Sequence, residues 1–257
     1  MPLAVRSSIA GGRWQNSHLQ YLKVTILFPS SSAIPHPLPA SETAILTLLS
    51  QPGNAAEATR CNTLSEAVGM LALAQAYHRQ DRKDRVRMAI EAFLLLVSEY
   101  FFRSALRRVS LQYSFGDKAA SVIADFVGTG LVVSILRDRH GHVGEAVAVL
   151  MAMKAWNLRL KNLPATTKRR PPKMPEYLAT VIRGRVWLLR AHTMDGYVAR
   201  AQNDWLQDGD EFKVEVLHRW NVFNHEERVH LVSTLVTLEQ NGHVDGLVDG
   251  LERLELA

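Results

Sequence analysis

The chain has 257 residues, of which 47% are hydrophobic and 21% charged, and its formal net charge is +5. This composition is typical of a globular protein and excludes a disordered chain, and the length allows one large domain or two ordinary ones. The single cysteine, Cys61, excludes an intramolecular disulfide framework and a cysteine-based zinc site.

The N-terminal region has an unusual composition, because residues 1–41 contain no aspartate or glutamate. An acid-free, serine-containing start is typical of organelle transit peptides. The same region contains YLKVTILF (21–28), whose alternating apolar residues predict a half-buried strand of a folded domain. We therefore predict an intracellular protein, with mitochondrial targeting as the alternative.

Helices account for most of the remaining predicted structure. Capping-box patterns at residues 63–66 and 224–227 each predict the start of a helix. The predicted helices cover residues 63–79, 86–110, 119–136, a segment that ends near 162, residues 176–205, 224–241 and a last amphipathic segment. A second strand is predicted at 212–217. The predicted fold is mainly α, a multi-helix domain with at most a small β element near 21–28 and 212–217.

Residues 119–136 form the most apolar segment of the chain and are almost long enough to cross a membrane. Asp125 lies near the middle, and a carboxylate at the centre of a bilayer costs about 2.5–3.5 kcal/mol on insertion scales. The segment therefore predicts a buried core helix and not a membrane span. GTG (128–130) lies within it, which indicates close helix packing and not a phosphate loop.

Charge and proline content divide the chain into four predicted regions. Residues 146–194 carry ten cations and one anion, whereas residues 204–257 carry four cations and twelve anions. The acidic part could fold back on the basic part, dock a neighbouring subunit or compete with nucleic acid. The predicted regions are 1–62 (strand and Pro/Ser-rich loop), 63–162 (helical core), 163–176 (basic Pro-rich connector) and 177–257 (C-terminal helical region with an acidic tail).

The sequence contains no complete catalytic motif. HEERVH (225–230) lacks the spacing of a zinc-protease helix, because histidines five residues apart point about 140° apart on a helix. His140 and His142 lie on a turn, but no further ligands of a closed zinc site are identifiable. Glu91 and Glu99 could form a paired-carboxylate site, although ion pairs with Arg87 and Arg103 explain them better. We therefore predict no enzymatic activity, no cofactor and no metal.

The segment PATTKRRPPKMPEY (164–177) concentrates prolines and cations, and basic residues continue on both sides of it. On a helix, Arg183, Trp187 and Arg190 would form one stripe, and Trp156 lies close to further cations on the preceding helix. Aromatic faces among cations are typical of proteins that hold single-stranded nucleic acid. The predicted nucleic-acid-binding residues are Arg159, Lys161, Lys168, Arg169, Arg170, Lys173, Arg183, Trp187 and Arg190.

Other interpretations of these residues stay open. Both tryptophans could be core residues beside a solvated basic face, since tryptophan is mostly buried. KRRPPK could also be a nuclear address or a patch for anionic membranes. HEERVHLVST (225–234) resembles a helix-opening stretch of influenza-type matrix proteins, which are helical and basic and bind RNA and membrane. The separations between this stretch and two other similar pieces do not match that family, so we assign no family.

The sequence thus predicts a non-enzymatic basic protein that binds nucleic acid, with RNA favoured, largely independently of sequence and within a larger assembly. The alternative is a structural or accessory subunit of a multiprotein complex, organellar or like a viral matrix. In either case we expect other protein subunits or self-association as partners, and no integral membrane insertion.

Overall fold

The computed structural model describes residues 16–28, 62–101, 105–115, 118–135, 143–164 and 171–255. These residues form an α/β fold with a seven-stranded mixed sheet and helices on both of its faces. The prediction of a mainly α fold is therefore wrong. The division into four regions stays a prediction, and strands from three of those regions lie in this one sheet.

Six helices and seven strands are described, and we number each set in chain order. The helices are α1 (Asn16–Tyr21), α2 (Asn62–Arg79), α3 (Lys83–Phe101), α4 (Val143–Lys161), α5 (Tyr197–Gln202) and α6 (His225–Glu255). The strands are β1 (Val24–Leu27), β2 (Leu106–Phe115), β3 (Lys118–Val127), β4 (Leu131–Val133), β5 (Tyr177–Ile182), β6 (Arg185–Thr193) and β7 (Phe212–Trp220).

The order of strands across the sheet is β1-β7-β6-β5-β4-β3-β2. The pairs β1–β7 and β4–β5 are parallel, and all other neighbours are antiparallel. Helix α4 connects the parallel strands β4 and β5, as a crossover connection requires. The sheet therefore brings residues near the start of the chain beside residues almost 200 positions later.

Apolar side chains on the two faces of the sheet form two separate cores. One core lies under α1, α4 and α5, and the other lies under α3 and α6, with α2 packed on α3. Helix α4 is buried over most of its circumference, including every residue from Ala146 to Met153. A helix that is apolar all round belongs in the interior, so α4 is the central element of its layer.

The predicted helix over 176–205 is a β-hairpin followed by the short helix α5. Strands β5 and β6 are buried on both faces, so their apolar residues form continuous runs without alternation. Such a run cannot be distinguished from a buried helix by periodicity alone. The two-residue turn at Arg183 and Gly184 has positive φ at both positions, 51° and 72°, as in type I′ hairpins.

Of two other predicted helices, one is replaced by strands and the other ends nine residues early. Residues 119–136 contain β3, the turn Gly128–Gly130 and β4, so GTG is a strand connection and not part of a helix. The predicted helix 86–110 ends at Phe101 as α3, and β2 begins at Leu106. No helix among the described residues is both long and apolar enough to span a membrane.

Several predicted elements are confirmed within a few residues. Strands occur at 24–27 and 212–220, and helices at 62–79 and 143–161. Asn224 caps α6, since its Oδ1 accepts the backbone N–H of Glu226 at 2.9 Å. Helix α6 then runs without a break to Glu255, where the sequence had predicted two helices.

The β3–β4 turn docks closely against α6. The carboxylate of Glu239 accepts the backbone N–H groups of Thr129 (3.1 Å) and Gly130 (3.2 Å), and the Thr129 hydroxyl donates to the Glu239 carbonyl oxygen. A Cβ atom at Gly130 would lie 1.6 Å from the Leu238 carbonyl oxygen. Only glycine allows this approach, so the glycines of GTG serve backbone packing.

Strand β2 lies at one edge of the sheet and carries a local irregularity. Arg108 has a left-handed backbone conformation with a φ of 52°. The neighbouring Arg107 forms an ion pair with Glu99 of α3 at 2.9 Å and lies over the ring of Phe126.

Candidate anion-binding sites

The β5–β6 hairpin carries three of the predicted site residues and separates them. Arg183 lies exposed in the turn, whereas Arg190 lies near the other end of β6, about 20 Å away at the usual rise of a strand. Side chains alternate along a strand, so Trp187 faces α4 and Arg190 faces the opposite side. The helical stripe that the sequence predicted through these residues does not form.

Trp187 is part of the core beneath α4, and only 9% of it is exposed. The edge of its ring meets Phe28 at a centroid distance of 6.2 Å, and the guanidinium of Arg219 lies 5.5 Å from the ring. Its buried indole N–H has no hydrogen-bond partner among the described residues. In this position Trp187 offers little surface for stacking a nucleic-acid base.

The end of the basic proline segment is fixed to α4 by side-chain hydrogen bonds. The Asn157 side chain accepts the backbone N–H of Met174 at 2.7 Å and donates to its carbonyl oxygen at 2.9 Å. The indole N–H of Trp156 donates to the carbonyl oxygen of Pro172 at 3.0 Å. Trp156 therefore positions the segment that carries Lys173, which is exposed.

The charges of three other cations act on Lys154 of α4: Lys161 and Lys173 lie on or beside α4, whereas Arg190 lies on the opposite face of the sheet. We call these four residues the α4 cluster: Lys154, Lys161, Lys173 and Arg190. Lys154 is partly buried, and burial lowers the pKa of its ammonium group. Glu176 opposes this change, while the positive charges of the other three residues lower the pKa of Lys154 further. Three cations and one anion thus act on the partly buried ammonium group of Lys154.

Arg190 differs from the lysines of the α4 cluster because it already has a counter-ion. Its Nη2 lies 2.7 Å from Oε2 of Glu215, and its guanidinium lies over the Tyr177 ring. His192 also bonds Glu215, and hydrogen bonds from His192 and Arg190 lower the pKa of the Glu215 carboxyl. An external anion would therefore meet the lysines before it meets Arg190.

The remaining predicted residues are distributed as follows. Arg159 lies exposed on the last turn of α4. Lys168, Arg169 and Arg170 lie outside the described residues, as do His140 and His142.

A second basic site, which the sequence did not predict, lies at the opposite end of the hairpin. We call it the hairpin cleft, and its volume is about 570 Å³. It lies between the start of α3, the β5–β6 turn and the β7–α6 connection. Its lining residues are His78, Asp81, Arg82, Lys83, Asp84, Val86, Arg87, Arg183, Gly184, Arg185, Asn221 and Phe223.

Cations outnumber anions in the hairpin cleft by five to two. Arg87 is paired with Glu91, and Lys83 lies 3.9 Å from Asp81 in an exposed pair. The other three guanidinium groups form no ion pair or side-chain hydrogen bond with the described residues; they belong to Arg82, Arg183 and Arg185. The signal for this site in the sequence was RQDRKDR (79–85), which indicated only a break between helices.

An aromatic pair contributes to one wall of the hairpin cleft. The rings of His78 and Phe223 stack at 5.2 Å with an interplanar angle of 17°. The Asn221 side chain accepts the backbone N–H of Phe223 at 3.2 Å through Oδ1. This bond leaves the amide N–H groups of Asn221 as donors at the cleft.

The histidines of HEERVH have different partners. His225 lies beside Arg228, with 3.2 Å between Nδ1 and the guanidinium, whereas Nδ1 of His230 accepts the indole N–H of Trp220. No group of three or more potential ligands within the described ranges is arranged to hold a metal ion.

Glu91 is the most perturbed carboxyl group among the described residues. Burial raises its pKa to about 7, and this effect exceeds the opposing attraction of Arg87, whose Nε lies 3.5 Å away. Asp125 and Glu145 contribute smaller increases. Glu99 pairs instead with Arg107, and its predicted partner Arg103 lies outside the described residues. The two glutamates therefore have separate partners.

Comparison with known proteins assigns no family, because no family model, curated protein or solved structure matches the chain. The two basic sites therefore have to be interpreted from their own chemistry.

Proposed function

We propose that this chain is a non-enzymatic protein that binds single-stranded nucleic acid, RNA in the first place, through phosphate contacts made by the α4 cluster. Binding is largely independent of sequence, because the exposed members of the cluster are lysines, which act on phosphate as point charges, and the guanidinium of Arg190 is already paired with Glu215. Contacts with phosphate fix position and affinity, whereas sequence is read from the bases.

The observation that carries this proposal is the partly buried Lys154 among three other cations. Repulsion between like charges costs free energy in the isolated protein, and a bound phosphate would remove that cost. Lys161 at the end of α4 and Lys173 within the anchored segment are both exposed, so both can reach a ligand. Lys168, Arg169 and Arg170 precede Lys173 in the sequence, and we include them in the proposed surface.

The test is fluorescence anisotropy of a labelled single-stranded RNA titrated with the whole chain at two salt concentrations. Each phosphate contact on a single strand contributes about 0.7 to the slope of log K against log salt. The double variant K161A/K173A should bind more weakly and should lower that slope by about 1.4. Absence of RNA binding at low salt, with the chain folded, would refute the proposal.

A matched control separates the α4 cluster from a general charge effect. The double variant R85A/R107A also removes two exposed cations, but Arg85 of α3 lies over Tyr77 of α2, and Arg107 lies on the edge strand β2. We expect this variant to keep the salt slope of the wild type. Equal losses in both double variants would mean that net charge, and not the α4 cluster, determines binding.

A second candidate function is that of an accessory subunit in a protein complex, and one observation favours it. Trp205, which follows α5, is 72% exposed, and Met194, which precedes α5, is 58% exposed. Large apolar side chains at the surface are typical of protein interfaces. Light scattering of the wild type and of W205S over a range of concentrations tests self-association at this place. Self-association that W205S loses would favour this candidate.

A further inference from the structure

We infer that the hairpin cleft is a binding site for an organic phosphate with a planar ring, of the class of the mononucleotides. This site is separate from the α4 cluster, and the inference does not depend on the proposed function. Three segments from distant parts of the sequence build it, and its volume of about 570 Å³ lies within the range of small-molecule sites.

The positive charge of the hairpin cleft indicates an anionic ligand. Arg82, Arg183 and Arg185 converge there without carboxylate partners among the described residues. The two acidic residues of the lining, Asp81 and Asp84, are exposed, and neither forms an ion pair with these three arginines. Guanidinium groups bind phosphate oxygens through paired hydrogen bonds, so an unneutralised group of them fits a phosphate.

The conformation of the β5–β6 turn determines where Arg183 lies. A type I′ turn favours Asn-Gly, because asparagine and glycine tolerate a positive φ, but this chain has Arg-Gly with Arg183 at 51°. The turn holds the arginine at the cleft in a backbone conformation that an asparagine would adopt more easily. Substitution by asparagine should therefore stabilise the fold and weaken ligand binding, two effects that simple damage to the structure would not produce together.

The remaining features of the hairpin cleft fit the ring of such a ligand. The stacked rings of His78 and Phe223 line the cleft together with the arginines, so an aromatic ring system is available to a planar ligand there. The amide of Asn221 adds hydrogen-bond donors at the same wall. A ligand with both phosphate and a planar ring uses both parts of the site, whereas inorganic phosphate uses only one.

The inference is tested by isothermal titration calorimetry of the whole chain with ATP, adenosine and tripolyphosphate. We expect ATP to bind, tripolyphosphate to bind at least tenfold more weakly, and adenosine to give no measurable heat. No binding of ATP at millimolar concentration would overturn the inference. Equal affinity for ATP and tripolyphosphate would overturn it as well, because the ring would then contribute nothing.

Variants locate the site and distinguish its failure from failure of the proposed function. R183N should lower the affinity for ATP about tenfold, as expected for one lost charge-assisted contact, and raise Tm by about 2–4 °C. R185Q should lower the affinity for ATP to a similar extent. Two controls should bind ATP as the wild type does: R85Q, which changes an arginine of the same basic run outside the cleft, and K161A/K173A. Unchanged ATP binding in both R183N and R185Q would overturn the inference.

Two ligands could supply both the phosphate and the planar ring: a free nucleotide and the end of a nucleic-acid strand. Competition distinguishes them, with ATP displaced by a short RNA that carries either a 5′-triphosphate or a 5′-hydroxyl. Stronger displacement by the triphosphate end would assign the hairpin cleft to a strand terminus, which supports the inference with that source. Equal, weak displacement by both RNAs would support a free nucleotide. Strong displacement by both would overturn the inference, since the cleft would then bind the backbone.

Discussion

The indole N–H of Trp220 donates a hydrogen bond to Nδ1 of His230 at 3.1 Å, and this bond joins the last strand of the sheet to α6. Trp220 is fully buried, and the ring of His218 meets His230 edge-on at 4.9 Å. Burial lowers the pKa of both histidines, and the proximity of His230 adds to the decrease for His218. The neutral form of His230 is the form that can accept this bond.

The first prediction follows from that bond. The pKa of His230 in the folded state lies below its ordinary value of 6.5, so the unfolded chain takes up protons first as the pH falls. The contribution of neutral His230 to the free energy of unfolding is fully present above pH 6.5 and is lost progressively as the pH falls below that value. The variant H230N keeps an acceptor that does not titrate. Urea unfolding at pH 7.5 and 5.5 should show that H230N loses less stability than the wild type over this interval, and parallel losses would contradict the prediction.

The second prediction concerns Glu91 and has the opposite sign. Its folded-state pKa of about 7 exceeds the ordinary value of 4.5, so stability falls as the pH rises between these values. E91Q cannot ionise and should gain stability relative to the wild type by about 2 kcal/mol between pH 5 and 8, since one pKa unit corresponds to about 1.4 kcal/mol and solvent screens part of it. Unfolding in urea at both pH values measures this difference. E99Q makes the same substitution at a more exposed position of the same helix and is the control for the substitution itself.

The third prediction concerns the contact between the β3–β4 turn and α6. An alanine at Gly130 would place its Cβ 1.6 Å from the Leu238 carbonyl oxygen, so the backbone would have to move. We expect G130A to lose about 2–3 kcal/mol of unfolding free energy. G69A is the matched control, because Gly69 lies in α2 and a Cβ atom added there has no neighbour within 4 Å. Alanine has the higher helix propensity, so G69A should increase stability by about 0.5–1 kcal/mol. Chemical denaturation that ranks the variants otherwise would disprove the proposed packing.

The fourth prediction concerns Asn157, which makes two hydrogen bonds to the backbone of Met174. N157A leaves both groups of the buried Met174 backbone without these partners, which should cost about 2–3 kcal/mol. The segment before β5 should also detach locally, so trypsin should cut after the neighbouring Lys173 faster than in the wild type. Mass spectrometry of a limited digest identifies that cleavage, and an unchanged rate would show that the anchor lies elsewhere.

Elements that bury one face and expose the other could be predicted from the sequence. Strand β7 alternates between buried and exposed residues over most of its length, and the start of α6 is marked by Asn224. Strands β5 and β6 could not be recognised by alternation, since helices cover both faces of the sheet at this place. The dipeptide Arg183-Gly184 was the one local sign of a turn, and an arginine at a position with positive φ hides that sign.

The two candidate sites differ in how visible they were in the sequence. Charge density around the basic proline segment indicated Lys161, Lys173 and Arg190, whereas Lys154 on α4 was not among the predicted site residues. The hairpin cleft joins residues near 82, 184 and 222, which are about 100 and 40 positions apart. Only the pairing of strands brings them together, and no spacing rule could have grouped them.

The left-handed backbone at Arg108 affects how the folded molecule behaves at high concentration. Strand β2 is long and has a neighbour on one side only within the described part of the sheet, so its outer N–H and C=O groups could template the strand of another copy. Arg108 interrupts the regular row of these groups, and Arg107 and Arg108 together bring positive charge to the edge. By the general behaviour of exposed strand edges, such an irregularity opposes the growth of the sheet from one molecule to the next.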